Sequence, residues 1–124
     1  MKALKLQETS DTPEVTLDKE RGRFEFYGTI MPENPKDFFA PILNWFNEYA
    51  LDPNPETSVI FKLDYFNTAA SKKIIDILMT LKKIHESKNK VEICWYYKPA
   101  DEDMLESGET FQEITHLPFN FISY

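Results

Sequence analysis

The chain reads as a single α/β (α+β) domain over residues 1–124, with one mixed β-sheet of about five to six strands and about three helices. Three observations predict this. From the middle of the chain onward, extended apolar runs alternate with runs of helical periodicity, the pattern of strand-helix-strand crossovers. The N-terminal part instead holds two short extended runs joined by a polar loop, the pattern of an antiparallel hairpin. No Gly- or Ser-rich linker divides the chain, and 42% hydrophobic with 15% aromatic residues supply one sizeable core.

Ala3 to Leu6 and Glu14 to Leu17 are expected strands, and Asp18-Lys19-Glu20-Arg21-Gly22 is a polar loop ending in a permissive glycine. The return strand, Arg23 to Tyr27, alternates charged residues with Phe24 and Phe26, which gives one wet face and one core face. Asn34 is placed to cap a first helix whose opening turn holds Pro35. Phe38, Ile42, Trp45 and Tyr49, with Phe39 and Phe46, then form an aromatic stripe through about residue 51. Pro41 lies beyond the first turn and is expected to kink or split that helix.

Asp52-Pro53-Asn54-Pro55 breaks the helix, and Val59 to Leu63 is expected to be a strand largely buried on both faces. Ala70, Ile74, Ile77, Leu78, Leu81 and Ile84 mark the core stripe of a second helix, with Lys72, Lys73, Asp76, Lys82, Lys83 and Glu86 on its polar side. Val91 to Tyr97 is a further strand, Asp101 to Thr115 a third helix, and Phe119 to Tyr124 a final strand.

Charge excludes several function classes. The formal net charge of −7, from 21 acidic against 14 basic residues, repels phosphate backbones and anionic leaflets, so neither nucleic acid nor a membrane is an expected partner. Cys94 is the only cysteine, which rules out an intrachain disulfide and makes a reducing, cytoplasmic setting the expectation. Its apolar neighbours suggest a buried small hydrophobe. No apolar run suits a targeting or membrane-spanning segment.

Catalytic chemistry is hard to find. His85 and His116 fall near helix ends and are expected at the surface, and Gly22, Gly28 and Gly108 are too scattered to build a phosphate loop. No cofactor is expected. Asp101, Glu102, Asp103 and Glu106 match no calcium loop, and Asp101 as a helix cap with acids near the dipole accounts for them without a metal. An acidic helix end also suits a basic partner.

The junction Asp64-Tyr65-Phe66-Asn67-Thr68-Ala69-Ala70-Ser71-Lys72 is the informative segment, because a strand there delivers a short polar turn straight into a helix. Either Asn67 or Thr68 can be the N-cap, and as a cap Thr68 needs nothing beyond its hydroxyl. Lys72 and Lys73 lie in or just after the first turn, where the dipole disfavours cations. A phosphate on Thr68 would supply them with close to two negative charges, although solvated lysines account for the pair almost as well.

At these residues the chain resembles the SiaC family of bacterial regulatory phosphoproteins, over nearly its whole length. The shared motifs run in order: Thr12-Pro13-Glu14-Val15; Pro32-Glu33-Asn34; Phe39-Ala40-Pro41-Ile42-Leu43-Asn44-Trp45; Asp64-Tyr65-Phe66-Asn67-Thr68 with Ser71-Lys72; Trp95-Tyr96-Tyr97; and Asp101-Glu102-Asp103-Met104-Leu105-Glu106-Ser107-Gly108-Glu109. The family is similar to the STAS fold of anti-sigma-factor antagonists, so the resemblance implies a STAS-like domain with no enzymatic activity of its own. Thr68 matches the phosphoacceptor. The implied partners are a Ser/Thr protein kinase of the anti-sigma type, a PP2C-like phosphatase and an effector such as a diguanylate cyclase, with cyclic di-GMP output and biofilm regulation downstream. Ala69 and Ala70 stand where the family often carries further serines.

The expected function is therefore partner switching, in which unphosphorylated Thr68 with Asp64, Tyr65, Asn67, Ser71 and Lys72 forms a docking surface that phosphorylation closes. Two alternatives are an anti-sigma-factor antagonist of the same architecture and a small metal-assisted hydrolase using Asp64 and the Asp101 cluster.

Overall fold

Alternating burial along the three long central strands and right-handed connection between parallel strands produce a sheet with its helices on one side. The computed structural model describes all 124 residues. The elements are β1 (Leu4–Leu6), β2 (Glu14–Asp18), β3 (Arg23–Ile30), α1 (Pro35–Tyr49), β4 (Glu56–Phe66), α2 (Thr68–Glu86), β5 (Lys90–Tyr97), α3 (Glu102–Thr115) and β6 (Phe119–Ser123). The six strands lie in the order β1-β2-β3-β4-β5-β6. The β1-β2 and β2-β3 pairs are antiparallel, and the remaining three are parallel. The expected mixed sheet and helices are therefore present.

Each of the crossovers through α1, α2 and α3 moves one strand along the sheet in the same direction, so the right-handed rule places all three helices on one face. Burial agrees. Val59, Phe61, Leu63, Val91, Ile93 and Trp95 are buried on the helix side, whereas Ser58, Ile60, Lys62, Glu92, Cys94 and Tyr96 are exposed or half-buried on the other. This corrects the expectation that β4 is buried on both faces. It also corrects Cys94, which is half-buried on the open face with its Sγ 3.4 Å from the Ser58 hydroxyl.

Between sheet and helices the core is strongly aromatic. Phe26 stacks on Phe61 with centroids 4.8 Å apart, Trp45 stacks on Tyr49 at 5.3 Å, and Trp95 meets Phe61, Phe66 and Phe111 at 5.5, 6.1 and 5.5 Å. Two buried polar tips in this layer are satisfied: the Trp95 indole donates to the Met104 carbonyl at 2.8 Å, and the Tyr49 hydroxyl lies 2.7 Å from that of Thr57.

Helix boundaries follow their caps. Asn34 accepts from the Asp37 amide at 3.3 Å with Pro35 in the first turn, and Asp101 accepts from the Met104 amide at 3.0 Å. Pro41 does not split α1, which runs unbroken to Tyr49. Its ring is on the exposed side, where the carbonyl that loses its donor is open to water. His116 is exposed as expected and ends α3 in the left-handed region at φ 58°. His85 is instead half-buried, with an Nδ1 that is shielded from solvent and has no hydrogen-bond partner.

Gly108 lets α3 approach the sheet closely, since a Cβ there would lie 2.5 Å from Trp95 and 2.8 Å from Phe121. Both contacts are ring atoms in a packed cluster, so Gly108→Ala is expected to cost about 1–3 kcal/mol in overpacking, outweighing the roughly 1 kcal/mol that alanine gains in helix propensity. A thermal melt should show Tm lowered by several degrees. An unchanged or higher Tm would contradict this close approach.

Candidate functional site

The site is built where β4 stops and α2 starts. Gly28 of β3 is buried at φ 119°, a backbone state that side chains rarely adopt, and the β3-β4 register shifts immediately after it. Leu63 pairs with Gly28 while Tyr65 pairs with Thr29, leaving Asp64 as the extra residue of a bulge. The bulge reverses the alternation of β4. Leu63 points into the core, Asp64 and Tyr65 are both exposed, and Phe66 turns inward against Trp95 and Phe111.

β4 is longer than the expected Val59 to Leu63, and the polar turn contracts to a single residue, Asn67. Asn67 ends one element and begins the next. Its amide donates to the Ile30 carbonyl at 3.2 Å, continuing the β3-β4 ladder, while its side chain accepts from the Ala70 amide at 2.8 Å and its carbonyl accepts from the Ser71 amide at 3.0 Å. Of the two candidate caps, Asn67 is therefore the one used.

Thr68 becomes the first residue of α2, with an exposed side chain whose hydroxyl makes no hydrogen bond within the protein. Its carbonyl accepts from the Ser71 hydroxyl at 2.6 Å. Ser71 and Lys72 lie three and four positions on, the two spacings that put helical side chains on the same face as Thr68. Lys72 is exposed and in no ion pair, and the first turn of α2 has no acidic residue. The structure thus offers an unused hydroxyl beside an unpaired cation, at a helix end whose first amides have no intrahelical acceptor.

Asp64 does not join this group. Its carboxylate lies 4.0 Å from the Lys98 ammonium in an exposed pair on the open side of the sheet, near Lys62 and Tyr124. Lys62 sits 4.6 Å above the Tyr124 ring, and burial, followed by Asp64 and Asp101, raises the Tyr124 pKa above the usual tyrosine value. No three His, Cys, Asp or Glu side chains are grouped so as to hold a metal ion.

One feature beside the site was not foreseen. A groove of about 480 Å³ runs between α2 and α3, floored by Phe66, Ile75, Phe111 and Ile114 and edged by Ser71, Asp103 and Glu106. Its signal in the sequence is Ile114, an apolar residue outside the buried stripe of α3. No helix is long and apolar enough to cross a membrane.

The cap geometry separates two neighbouring side chains. Asn67→Ala should lose about 1 kcal/mol of stability, whereas Thr68→Ala should stay within about 0.5 kcal/mol of the parent, measured by urea unfolding. Equal losses from both would contradict the assignment of Asn67 as sole cap.

The comparisons with known proteins converge on one family. The model of the SiaC family regulatory phosphoprotein matches residues 6–124. An uncharacterized protein of Pseudomonas aeruginosa strain UCBPP-PA14 is 29% identical over 119 residues, covering 96% of this chain and 94% of that one. Among solved structures, apo-SiaC from Pseudomonas aeruginosa superposes with a TM-score of 0.92 at 28% identity, covering 99% of this chain and 100% of that chain. SiaC in the crystal structure of the diguanylate cyclase SiaD with its activator SiaC, also from Pseudomonas aeruginosa, gives 0.91 at 28% identity, covering 98% and 99%. With the family model spanning almost every residue and the fold shared throughout, the chain belongs to the SiaC family of regulatory phosphoproteins.

Proposed function

We propose that this chain is a non-enzymatic partner-switching protein whose unphosphorylated form docks on and activates a diguanylate cyclase, and whose phosphorylation on Thr68 releases that effector. A Ser/Thr kinase of the anti-sigma type adds the phosphate, and a PP2C-like phosphatase removes it. The observation that carries this is the Thr68 hydroxyl, exposed at the first position of α2 and free because Asn67 does the capping. The crystal structure of the diguanylate cyclase SiaD in complex with SiaC, which is the activator of that cyclase, supports the choice of effector.

The geometry fits such a switch for a physical reason. Phosphorylation adds about 1.5 to 2 negative charges and three acceptor oxygens. At Thr68 these oxygens face the unpaired amides of the first turn and the Lys72 ammonium one turn along, so the helix start tolerates the dianion without losing a bond. A partner docked over Tyr65, Thr68, Ser71 and Lys72 has no such tolerance. It would have to desolvate a dianion, and charge with steric bulk then closes the surface. ATP in this scheme binds to the kinase.

Incubation with the cognate kinase and ATP, followed by mapping the modified residue by mass spectrometry, should place the phosphate on Thr68. Phosphate on another residue, or none, would end the proposal. In effector binding, Thr68→Ala should match the unphosphorylated parent and ignore the kinase. Thr68→Glu should bind at least about tenfold more weakly, although one carboxylate understates a dianion.

A further inference from the structure

The two edges of the sheet are not alike. An edge strand exposes unpaired main-chain groups, and proteins guard such edges by shortness, charge, proline or a bulge. β1 is guarded: it has three residues, and the central one is Lys5. β6 is not. Its five residues, Phe119-Asn120-Phe121-Ile122-Ser123, make it the only element of the fold without a charged side chain, and no proline or register shift interrupts its pairing with β5. Hydrogen bonds at either end of β6 fix which way its main chain faces. The Pro118 carbonyl accepts from the Ile93 amide at 2.9 Å, and the Tyr124 amide donates to the Tyr97 carbonyl at 3.1 Å. Even-numbered residues therefore pair with β5, while Phe119, Phe121 and Ser123 turn their amides and carbonyls out of the sheet, where no strand meets them.

We infer that a second copy of this chain docks on this edge, its β6 running antiparallel to the first about a twofold axis at Phe121. In that register Phe121 faces Phe121 of the second copy and Phe119 faces Ser123, so every outward amide meets an outward carbonyl. The side chains fit the same arrangement. Phe119 and Phe121 stack with centroids 5.6 Å apart, Phe121 lies against Gly108 of α3, and both rings stay half-buried at the rim of the sheet. The matching pair of rings in the second copy would complete their burial.

Charge selects this occupant. Two chains that each carry −7 repel one another, so they can meet only across a surface that holds no charge, and β6 supplies one. The flank of α3 above it extends the neutral strip. Leu105 and Gln112, seven residues apart and both half-buried, lie on the side of α3 turned away from Ser107, Thr110 and Ile114, which face α2. Glu109, four residues beyond Leu105, borders the strip and leaves the contact sensitive to salt. Docking at this edge does not involve Thr68, which follows β4, two strands in from β6. Antiparallel pairing sends the two Thr68 junctions to opposite ends of the joined sheet, so the dimer carries two such surfaces that face opposite ways.

Sedimentation of the full chain over about two decades of concentration should show a monomer-dimer equilibrium that moves toward dimer as salt rises. At the dimeric end of that series, amide exchange at Phe119, Phe121 and Ser123 should slow at least about tenfold, with the β1 amides unchanged. Ser123→Lys and Ser123→Pro alter an exposed residue whose amide bonds nothing in the monomer, and each should weaken dimerisation at least about tenfold. A parent-like circular dichroism spectrum and Tm in the Ser123→Lys variant separate loss of docking from loss of fold. A monomer at every concentration would overturn the inference, as would parent-like dimerisation by both variants or slowed amides that lie outside β6. Slowing of the β6 amides only after the kinase or the cyclase is added would overturn it too, because the edge would then belong to a strand of that protein.

Discussion

The hydrogen bond from the Ala70 amide to the Asn67 side chain, at 2.8 Å, decides what the neighbouring residue is free to do. A helix start needs an acceptor for its orphan amides, and serine, threonine, asparagine and aspartate compete for that task. Here Asn67 is held in place by a second bond, from its own amide to Ile30, so the end of the β3-β4 ladder selects the cap. Thr68 is displaced by one position into the helix. Its hydroxyl then has no structural task, and a side chain without a structural task can be modified without disturbing the fold.

The bulge upstream has a complementary effect. A strand leaving a sheet in strict alternation would turn Tyr65 toward the core, where Val59, Phe61 and Leu63 lie. The extra residue Asp64, admitted opposite the permissive Gly28, sends Tyr65 outward and Phe66 inward. An exposed aromatic ring thus stands just ahead of Thr68, and a packed one anchors the strand end between β5 and α3. Because α1, α2 and α3 each follow one strand of the parallel set β3 to β6, their starts gather at the carboxyl ends of those strands. The same one-sided winding sets α3 beside α2 and creates the groove next to Thr68.

Much of this was legible in the residues. Ala70, Ile74, Ile77, Leu78, Leu81 and Ile84 are the buried stripe of α2 as their spacing predicted, and Asn34 and Asp101 cap the helices they precede. What escaped was tertiary in origin. Val59-Ile60-Phe61-Lys62-Leu63 resembles a strand covered on both sides, but Ile60 lies on the open face, which no local pattern reveals. The extension of β4 to Phe66 depends on a register shift opposite Gly28, some 35 residues earlier, and the choice between Asn67 and Thr68 depends on the carbonyl of Ile30. Asp64 sits in the same motif as Thr68 but points to Lys98, because neighbours in sequence need not share a surface at a bulge. The α2-α3 groove requires two elements to be placed before it exists.

The central claim is that Thr68 can carry a phosphate while the fold stays as it is, so that the modification rewrites only a surface. Comparing backbone amide NMR spectra of the chain before and after stoichiometric phosphorylation tests this most directly. The account predicts shifts concentrated in the β4-α2 junction and the first turn of α2, with the β1-β6 ladder and the aromatic core unchanged. Shifts spread through the sheet, or loss of helical signals from the start of α2, would contradict it.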